Sequence, residues 1–315
     1  MERERNDNVP KSIVKTCILR VFFSLFSKTK WWNWNVLKSF GPKKNQSEEI
    51  LTFFCNLNNI LYLSLMRIIC ISDTHSLQHN MLHEIPKGDV LIHAGDISNK
   101  GGERDVTEFI HWFQNIEGFD TKIFIAGNHD FCFERVNQPH HKGDYDWLHN
   151  LMSSENLSQS DVTYLEDSFL TIESPEFSRP IKFYGSPWQP NFYDWAFNLP
   201  RLGDEMKGKW EMIPDDTDIL ITHGPPNEIR DFVSNWRQGD MNVGCELLRY
   251  ELDNRIKPFL HVFGHIHGAY GAVYNKETLY VNASTCTEQY TPTNKPIIVD
   301  LNEVDGKIIA TYVQE

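Results

Sequence analysis

From Met66 onward the apolar residues fall into short, unbroken runs. RIICIS, DVLIHAG, KIFIAGN, IKFYGS, TDILITHG and FLHVFGH are each a block of Ile, Val, Leu and Phe that stops at small or polar residues. Runs of this length without polar alternation predict strands buried on both faces. Between the second and third runs, ERDVTEFIHWFQNIEG places Val106, Phe109, Ile110 and Phe113 at helical spacing. CELLRYELDNRI reads as a second helix, and TLYVNAST, KPIIVDLN and KIIATYV read as consecutive strands at the end of the chain. Strands alternating with helices predict an α/β layered fold. In such folds polar ligands gather where strands end and loops begin.

The chain before Met66 has another character. CILRVFFSLF is interrupted by Arg20, KTKWWNWNVLKSFGPKK is basic and aromatic, and ILTFFCNLNNILYLSL carries Asn56, Asn58 and Asn59. None of these runs reaches the roughly twenty apolar residues a membrane span needs. Nor is there a clean signal peptide with an uninterrupted apolar run and a small-residue cleavage site. The expected organisation is an N-terminal extension over 1–65, disordered or loosely packed, followed by one domain over 66–315. Association of the extension with a membrane surface is the weaker alternative. MRIICISDTH starts a strand so abruptly that Met66 is itself a candidate natural start.

Composition narrows the picture. The chain has 315 residues, 40% hydrophobic and 23% charged, which is ordinary for a soluble globular protein with a real core. Its formal net charge of -13 argues against a nucleic-acid polymer as partner, because phosphate backbones are met by basic surfaces. The six cysteines form no C-x-x-C pair and no disulfide framework, so a reducing compartment, the cytoplasm, is expected.

The chemistry is concentrated at the predicted strand ends. ISDTH brings Asp73 and His75, HAGD brings Asp96, and AGNHD brings Asn128, His129 and Asp130. ITHGPP brings His223, and FGHIHG brings His265 and His267. Taken singly, each motif is an ordinary turn, N-cap or loop sequence. Strand ends of one layered sheet are neighbours, however, so the clusters would share a cleft. Burying so many carboxylate, amide and imidazole groups without partners would be costly. Divalent metals remove that cost, and mixed N and O ligands suit Mn, Fe, Zn, Ni or Co. In extended chain His265 and His267 would point the same way, with Ile266 turned into the core.

The ordered set D-x-H, G-D, G-N-H-D, a later His and G-H-x-H resembles the calcineurin-like metallophosphoesterase superfamily. SDTH, IAGNHD, YGSPW, FNLP, ILITHGPP, HVFGHIH and VNASTCT are further similar to the small metallophosphoesterase-domain proteins, among which cyclic-nucleotide phosphodiesterases are found. The resemblance runs from about Met66 to the end. It implies an αββα sandwich of two mixed sheets flanked by helices. It also implies two divalent metal ions, manganese being the first choice in vitro. One would take Asp73, His75 and His267, the other Asn128, His223 and His265, with Asp96 bridging. A hydroxide held between the metals would attack phosphorus. His129 would protonate the leaving group or stabilise the transition state, and Asp130 would orient His129.

The implied function is hydrolysis of a small phosphodiester such as a cyclic nucleotide. The alternatives are a phosphomonoesterase or protein phosphatase, and a metal-binding scaffold of low activity. Outside the ligand set, His93 and His261 read as strand-interior residues, and His140 and His141 as solvated loop. Trp188, Phe192, Tyr193, Trp195 and Phe197 could pack over the cleft or simply pin their own loop.

Overall fold

In the computed structural model, the residues described are 65–135, 145–153, 157, 161–234, 239 and 241–313. The N-terminal extension and the loop with His140 and His141 lie outside them. The strands are β1 (Met66–Ile71), β2 (Val90–Ala94), β3 (Thr121–Ile125), β4 (Val162–Tyr164), β5 (Ser168–Ile172), β6 (Ile181–Ser186), β7 (Gln189–Pro190) and β8 (Asn198–Leu199). They continue as β9 (Ile219–Thr222), β10 (Phe232–Val233), β11 (Met241–Asn242), β12 (Leu260–Phe263), β13 (Gly271–Asn275), β14 (Thr278–Asn282), β15 (Ile297–Val304) and β16 (Lys307–Val313). The α-helices are α1 (Glu103–Asn115), α2 (Phe131–Arg135), α3 (Asp146–Leu151), α4 (Asp204–Glu211) and α5 (Glu246–Glu251). The predicted second helix is thus α5, and its last part, Leu252–Ile256, widens into a π-helical turn.

Two six-stranded mixed sheets form the body, ordered β16-β15-β1-β2-β3-β4 and β13-β14-β12-β9-β6-β5. The unbroken apolar runs are explained by where alternate residues go. On β1, Ile68 and Cys70 join Ile92, Ile123, Phe183, Ile221, Val262 and Val281 in a core between the sheets. Ile69 and Ile71 point the other way, into a cluster with Val106, Phe109, Ile110 and Phe113 of α1. On the second sheet Leu220, Phe263 and Tyr280 face outward onto Met206 and Trp210 of α4 and Leu248 of α5. The expected αββα layering is therefore present, with helices on both outer faces and three apolar clusters.

Sequence reading missed several elements. Helix α4 (DEMKGKWE) holds Gly208 and buries only Met206 and Trp210, too little for a helical stripe. Strand β5 (SFLTI) is an edge strand with no fully buried residue, and its apolar residues are broken by Thr171 into a run too short to mark a strand.

What matters for the site is strand direction. β1, β2 and β3 are mutually parallel, and so are β6, β9 and β12. The carboxyl end of β1 is joined to that of β14, which runs parallel to β12, by a bridge between Ser72 and Ser284, where Thr285 N donates to Ser72 O at 2.8 Å. No helix among the described residues is long and apolar enough to cross a membrane.

Candidate functional site

The loops after β1 and β2 are laced together by their backbones. Asp73, His75 and Ser76 donate N–H groups to the carbonyls of Gly95, Asp96 and Ile97 at 2.9, 3.0 and 3.1 Å. To do so, Asp73 (φ 51°), His75 (φ 46°), Ser76 (φ 60°) and Asp96 (φ 55°) adopt left-handed backbone. Non-glycine residues reach this region at a cost of about 1–2 kcal/mol each, and such strain concentrates at functional sites.

Two glycines let these loops close. A Cβ on Gly264 would lie 2.0 Å from Asp73 Oδ2, and one on Gly127 would lie 2.3 Å from Asp96 Oδ1.

All seven predicted ligand residues meet at this edge. Asp73, His75 and His267 offer ligand atoms within 4.8 Å of one another, and so do Asp96, His223 and His265. The imidazoles of His75 and His267 bring Nε2 atoms to 3.2 Å. Asn128 Oδ1 lies 3.0 Å from His223 Nε2. Asp96 sits between the groups, with Oδ1 3.4 Å from His223 Nε2 and Oδ2 3.7 Å from His75 Nε2. Asp73 is anchored by Ser284 Oγ, which donates to Oδ2 at 2.9 Å, and by the backbone N–H of His265.

His265 and His267 reach the site differently from the extended-chain expectation. His265 is left-handed (φ 66°), and His267 opens a short 3-10 turn, His267–Ala269. Ile266 is half-buried rather than core, and its carbonyl accepts from Asn282 Nδ2 at 2.9 Å. The glycine before His265 and the turn after it bend the chain too soon for strand geometry to persist.

The hydrogen bonds test whether this set suits metal ions. His267 Nδ1 faces the Thr287 carbonyl at 3.0 Å, and His223 Nδ1 faces the Ala94 carbonyl at 2.9 Å. A carbonyl only accepts, so each Nδ1 carries the hydrogen, and each Nε2 is left to give its lone pair to a cation or to a proton. Those lone pairs point at carboxylate and amide oxygens, which are also electron-rich. His75 Nδ1 is buried with no hydrogen-bond partner. Imidazole nitrogens and carboxylate and amide oxygens converging in this way fit divalent cations, and imidazoles held through their other nitrogen are the usual arrangement around a metal.

The electrostatics agree. Burial alone would raise the Asp73 and Asp96 carboxyls, but His267 and His223 hold Asp73 well below the usual range, and His223, His129 and His75 do the same for Asp96. Burial would lower His223, yet the Asp96 charge and hydrogen bond push it up to about 9. His267 also rises, because Asp73 outweighs its burial. Burial pushes His75 down to about 4 and His265 down to about 3, the latter helped by neighbouring His223. The cluster draws positive charge to the lone pairs a cation would use.

His129 stands at the rim. Its backbone N–H donates to Asp96 Oδ1 at 2.8 Å, its Nδ1 meets the Asn99 carbonyl at 2.8 Å, and its ring stacks on Trp195 at 4.0 Å between centroids. Asp130 does not orient it, contrary to expectation. Both Asp130 oxygens are taken: Oδ2 accepts from Ile97 and Gly127 N–H groups, and Oδ1 from the N–H and hydroxyl of Ser98. Burial, with nearby Asp96, raises this carboxyl to about 6 against those four donors. Asp130 ties the Asp96 loop to the Asn128 loop, while Asn99 and Trp195 set His129.

The aromatic stretch divides. Phe197 is buried and Trp188 is anchored by Nε1 donating to Asp167 Oδ2 at 2.9 Å, so both serve the loop. Phe192 reaches the site, its ring edge-on to His265 at 5.7 Å. One residue at the site was not foreseen. Tyr290 lies 4.8 Å from His75, 5.2 Å from His267 and 6.4 Å from His129, measured between ring centroids. It follows β14 by a loop with no hydrophobic period, and only its closeness to VNASTCT could have drawn attention to it.

The family described as Calcineurin-like phosphoesterase matches residues 66–269. Human metallophosphoesterase domain-containing protein 1 is 43% identical over 243 residues, covering 75% of this chain and 71% of that protein. The Caenorhabditis elegans UPF0046 protein C25E10.12 is 34% identical over 255 residues, covering 80% of this chain and 86% of that one. Among solved structures, vacuolar protein sorting 29 from Cryptosporidium parvum is similar at 12% identity and a TM-score of 0.31, covering 79% of this chain and 97% of that one. The chain belongs to the calcineurin-like phosphoesterase family, metal-dependent hydrolases of phosphoesters.

Proposed function

We propose that this chain is a dinuclear-metal phosphodiesterase acting on small phosphodiesters, with cyclic nucleotides the leading candidates. The supporting observation is the set of facing lone pairs: His223 Nε2 against Asn128 Oδ1 and Asp96 Oδ1, and His267 Nε2 against Asp73. Asp73, His75 and His267 would hold one cation, Asn128, His223 and His265 the other, and Asp96 would bridge. Two such cations, when bound, supply Lewis acidity that activates water and offsets phosphoryl charge. Manganese is the expected ion in vitro.

The chain's own groups do the rest. The carbonyls of Thr287 and Ala94 fix the ring orientation of His267 and His223. His129 is held at Nδ1 by Asn99, and its Nε2, 3.9 Å from Asp96 Oδ2, would carry the proton given to the leaving oxygen as the P–O bond breaks. Asp130 keeps the Asp96 and Asn128 loops in register. The phosphoesterase domain would run over 66–315. The free, buried Cys70, Cys132, Cys245 and Cys286 are consistent with a reducing compartment, and the cytoplasm is the expected one.

The diester preference rests on the resemblance of the flanking stretches and is tested by turnover. Metal-stripped protein is re-supplied with manganese and offered bis-p-nitrophenyl phosphate, p-nitrophenyl phosphate and cyclic nucleotides. Metal-dependent cleavage of the diesters is expected. Preference for the monoester would replace the reading with a phosphomonoesterase, and no turnover with metal bound would replace it with a scaffold.

A further inference from the structure

Tyr290 has an unusual backbone for its size. At φ 54° it is left-handed, a region that bulky side chains rarely enter. Three aromatic residues among those described share this property: Tyr193, Phe197 and Tyr290. Phe197 is fully buried, where packing over-determines its conformation. Tyr193 and Tyr290 are 83% and 47% exposed, so burial explains neither, but Tyr193 packs on Phe192 whereas Tyr290 meets three histidines of the site.

A tight turn holds Tyr290 in place. Its N–H donates to the Thr287 carbonyl at 2.8 Å, and Thr287 N–H donates to Thr291 O at 2.9 Å. The same Thr287 carbonyl accepts from His267 Nδ1. One backbone oxygen therefore positions both a candidate ligand and the tyrosine. The ring leans on His75, His129 and His267, and its remaining surface faces solvent. Over the other cluster, Phe192 stands edge-on to His265 and is 48% exposed. Trp195 is spent on His129, and Tyr193 packs on Phe192 rather than on a histidine, so Tyr290 and Phe192 are the exposed aromatic rings in contact with the site among the described residues.

We propose that Tyr290 is a specificity-determining residue that stacks against a flat ring carried by an organic arm of the phosphoester. The inference rests on the phosphoesterase reading and adds the substrate class: esters bearing an aryl group or a nucleobase over esters with small alkyl arms. Aromatic faces recognise such rings by offset or edge-on contact, and a strained residue kept at the rim is the signature of a functional rather than a packing role.

The test is calorimetric binding of phenylphosphonate and methylphosphonate to manganese-loaded protein, since neither needs turnover. The native protein should bind phenylphosphonate about tenfold more tightly, a difference on the scale of one aromatic contact. Tyr290→Ala should abolish that preference and leave methylphosphonate affinity unchanged, and Tyr290→Phe should retain it. Tyr290→Gly, which relieves the left-handed backbone, should also lose the preference without lowering Tm. Equal binding of the two phosphonates by the native protein would overturn the proposal, as would equal weakening of both in Tyr290→Ala. Binding of neither phosphonate would contradict the phosphoester reading itself, and the stacking role with it.

Discussion

The strand-interior histidines His93 and His261 are buried, as are strand-end His223 and, for the most part, His267, and the two pairs differ in which ring nitrogen is engaged. His93 on β2 meets Thr74 Oγ1 at 2.9 Å, and His261 on β12 meets Thr222 Oγ1 at 2.8 Å. Each leaves its Nδ1 without a partner, and burial pushes each down to about 3. His223 and His267, by contrast, use Nδ1 on a backbone carbonyl and turn Nε2 toward carboxylates, which push both up. Burial therefore does not mark a candidate ligand. What sets His223 and His267 apart is the backbone carbonyl on Nδ1, which turns Nε2 to the carboxylates. His75 shares the unpartnered Nδ1 of the interior pair and is marked as a candidate only by its place beside Asp73, Asp96 and His267. The two groups are also connected. Thr74 lies between Asp73 and His75, and Thr222 precedes His223, so the interior histidines brace the loops that carry the site.

Removing a strand-end imidazole should have the largest effect. His267→Ala should lower phosphoester turnover by about a thousandfold or more, a loss on the scale of deleting a group that stabilises transition-state charge. Circular dichroism should stay native-like. Near-native turnover would show that His267 is not a ligand. Next comes His129→Ala, which should keep bound metal and lose about a hundredfold or more in rate. The loss should be greatest for esters with poor leaving groups. Equal losses for activated and unactivated esters would remove the acid role.

The interior pair should respond in stability rather than in metal content. Thr222 Oγ1 donates to the Gly224 carbonyl at 2.7 Å, so His261 Nε2 is the donor to Thr222. Thr222→Val would strand that buried N–H at a cost of about 1–3 kcal/mol. A lower Tm with unchanged metal stoichiometry is expected, and loss of metal would merge the two groups.

The last effect is a pH slope, which leaves stability at neutral pH untouched. His261 has an ordinary value of 6.5 and a folded value of about 3 because it is buried. Between those values the unfolded chain binds a proton that the native chain does not. The contribution is therefore complete above about pH 6.5 and is lost as pH falls through the window. His261→Gln should remove about one proton's worth of slope from denaturation curves between pH 6 and 4. An unchanged slope would place the titration elsewhere.

The residues most readily read from the sequence were those whose position follows from a strand. Asp73, Asp96, Asn128 and His223 come directly after apolar runs, so the pattern that predicts β1, β2, β3 and β9 also locates them. What escaped depends on local bends. Asp130 was expected beside His129 because it follows it in the chain, but a carboxylate inside a tight turn is captured by the nearest N–H groups, here those of Ile97, Ser98 and Gly127. Tyr290 sits in a turn defined by Thr287 hydrogen bonds, which leave no period in the sequence. Helix α4 buries only Met206 and Trp210 and β5 only partly buries Leu170 and Ile172, so neither shows the apolar periodicity of a fully packed element.

The central claim is that the facing lone pairs of these seven side chains hold two cations. Equilibrium dialysis of metal-stripped protein against manganese tests it most directly. The account predicts two tightly held ions per chain, with His267→Ala reduced to one. No tight binding by the native protein, or two ions still held after that substitution, would contradict it.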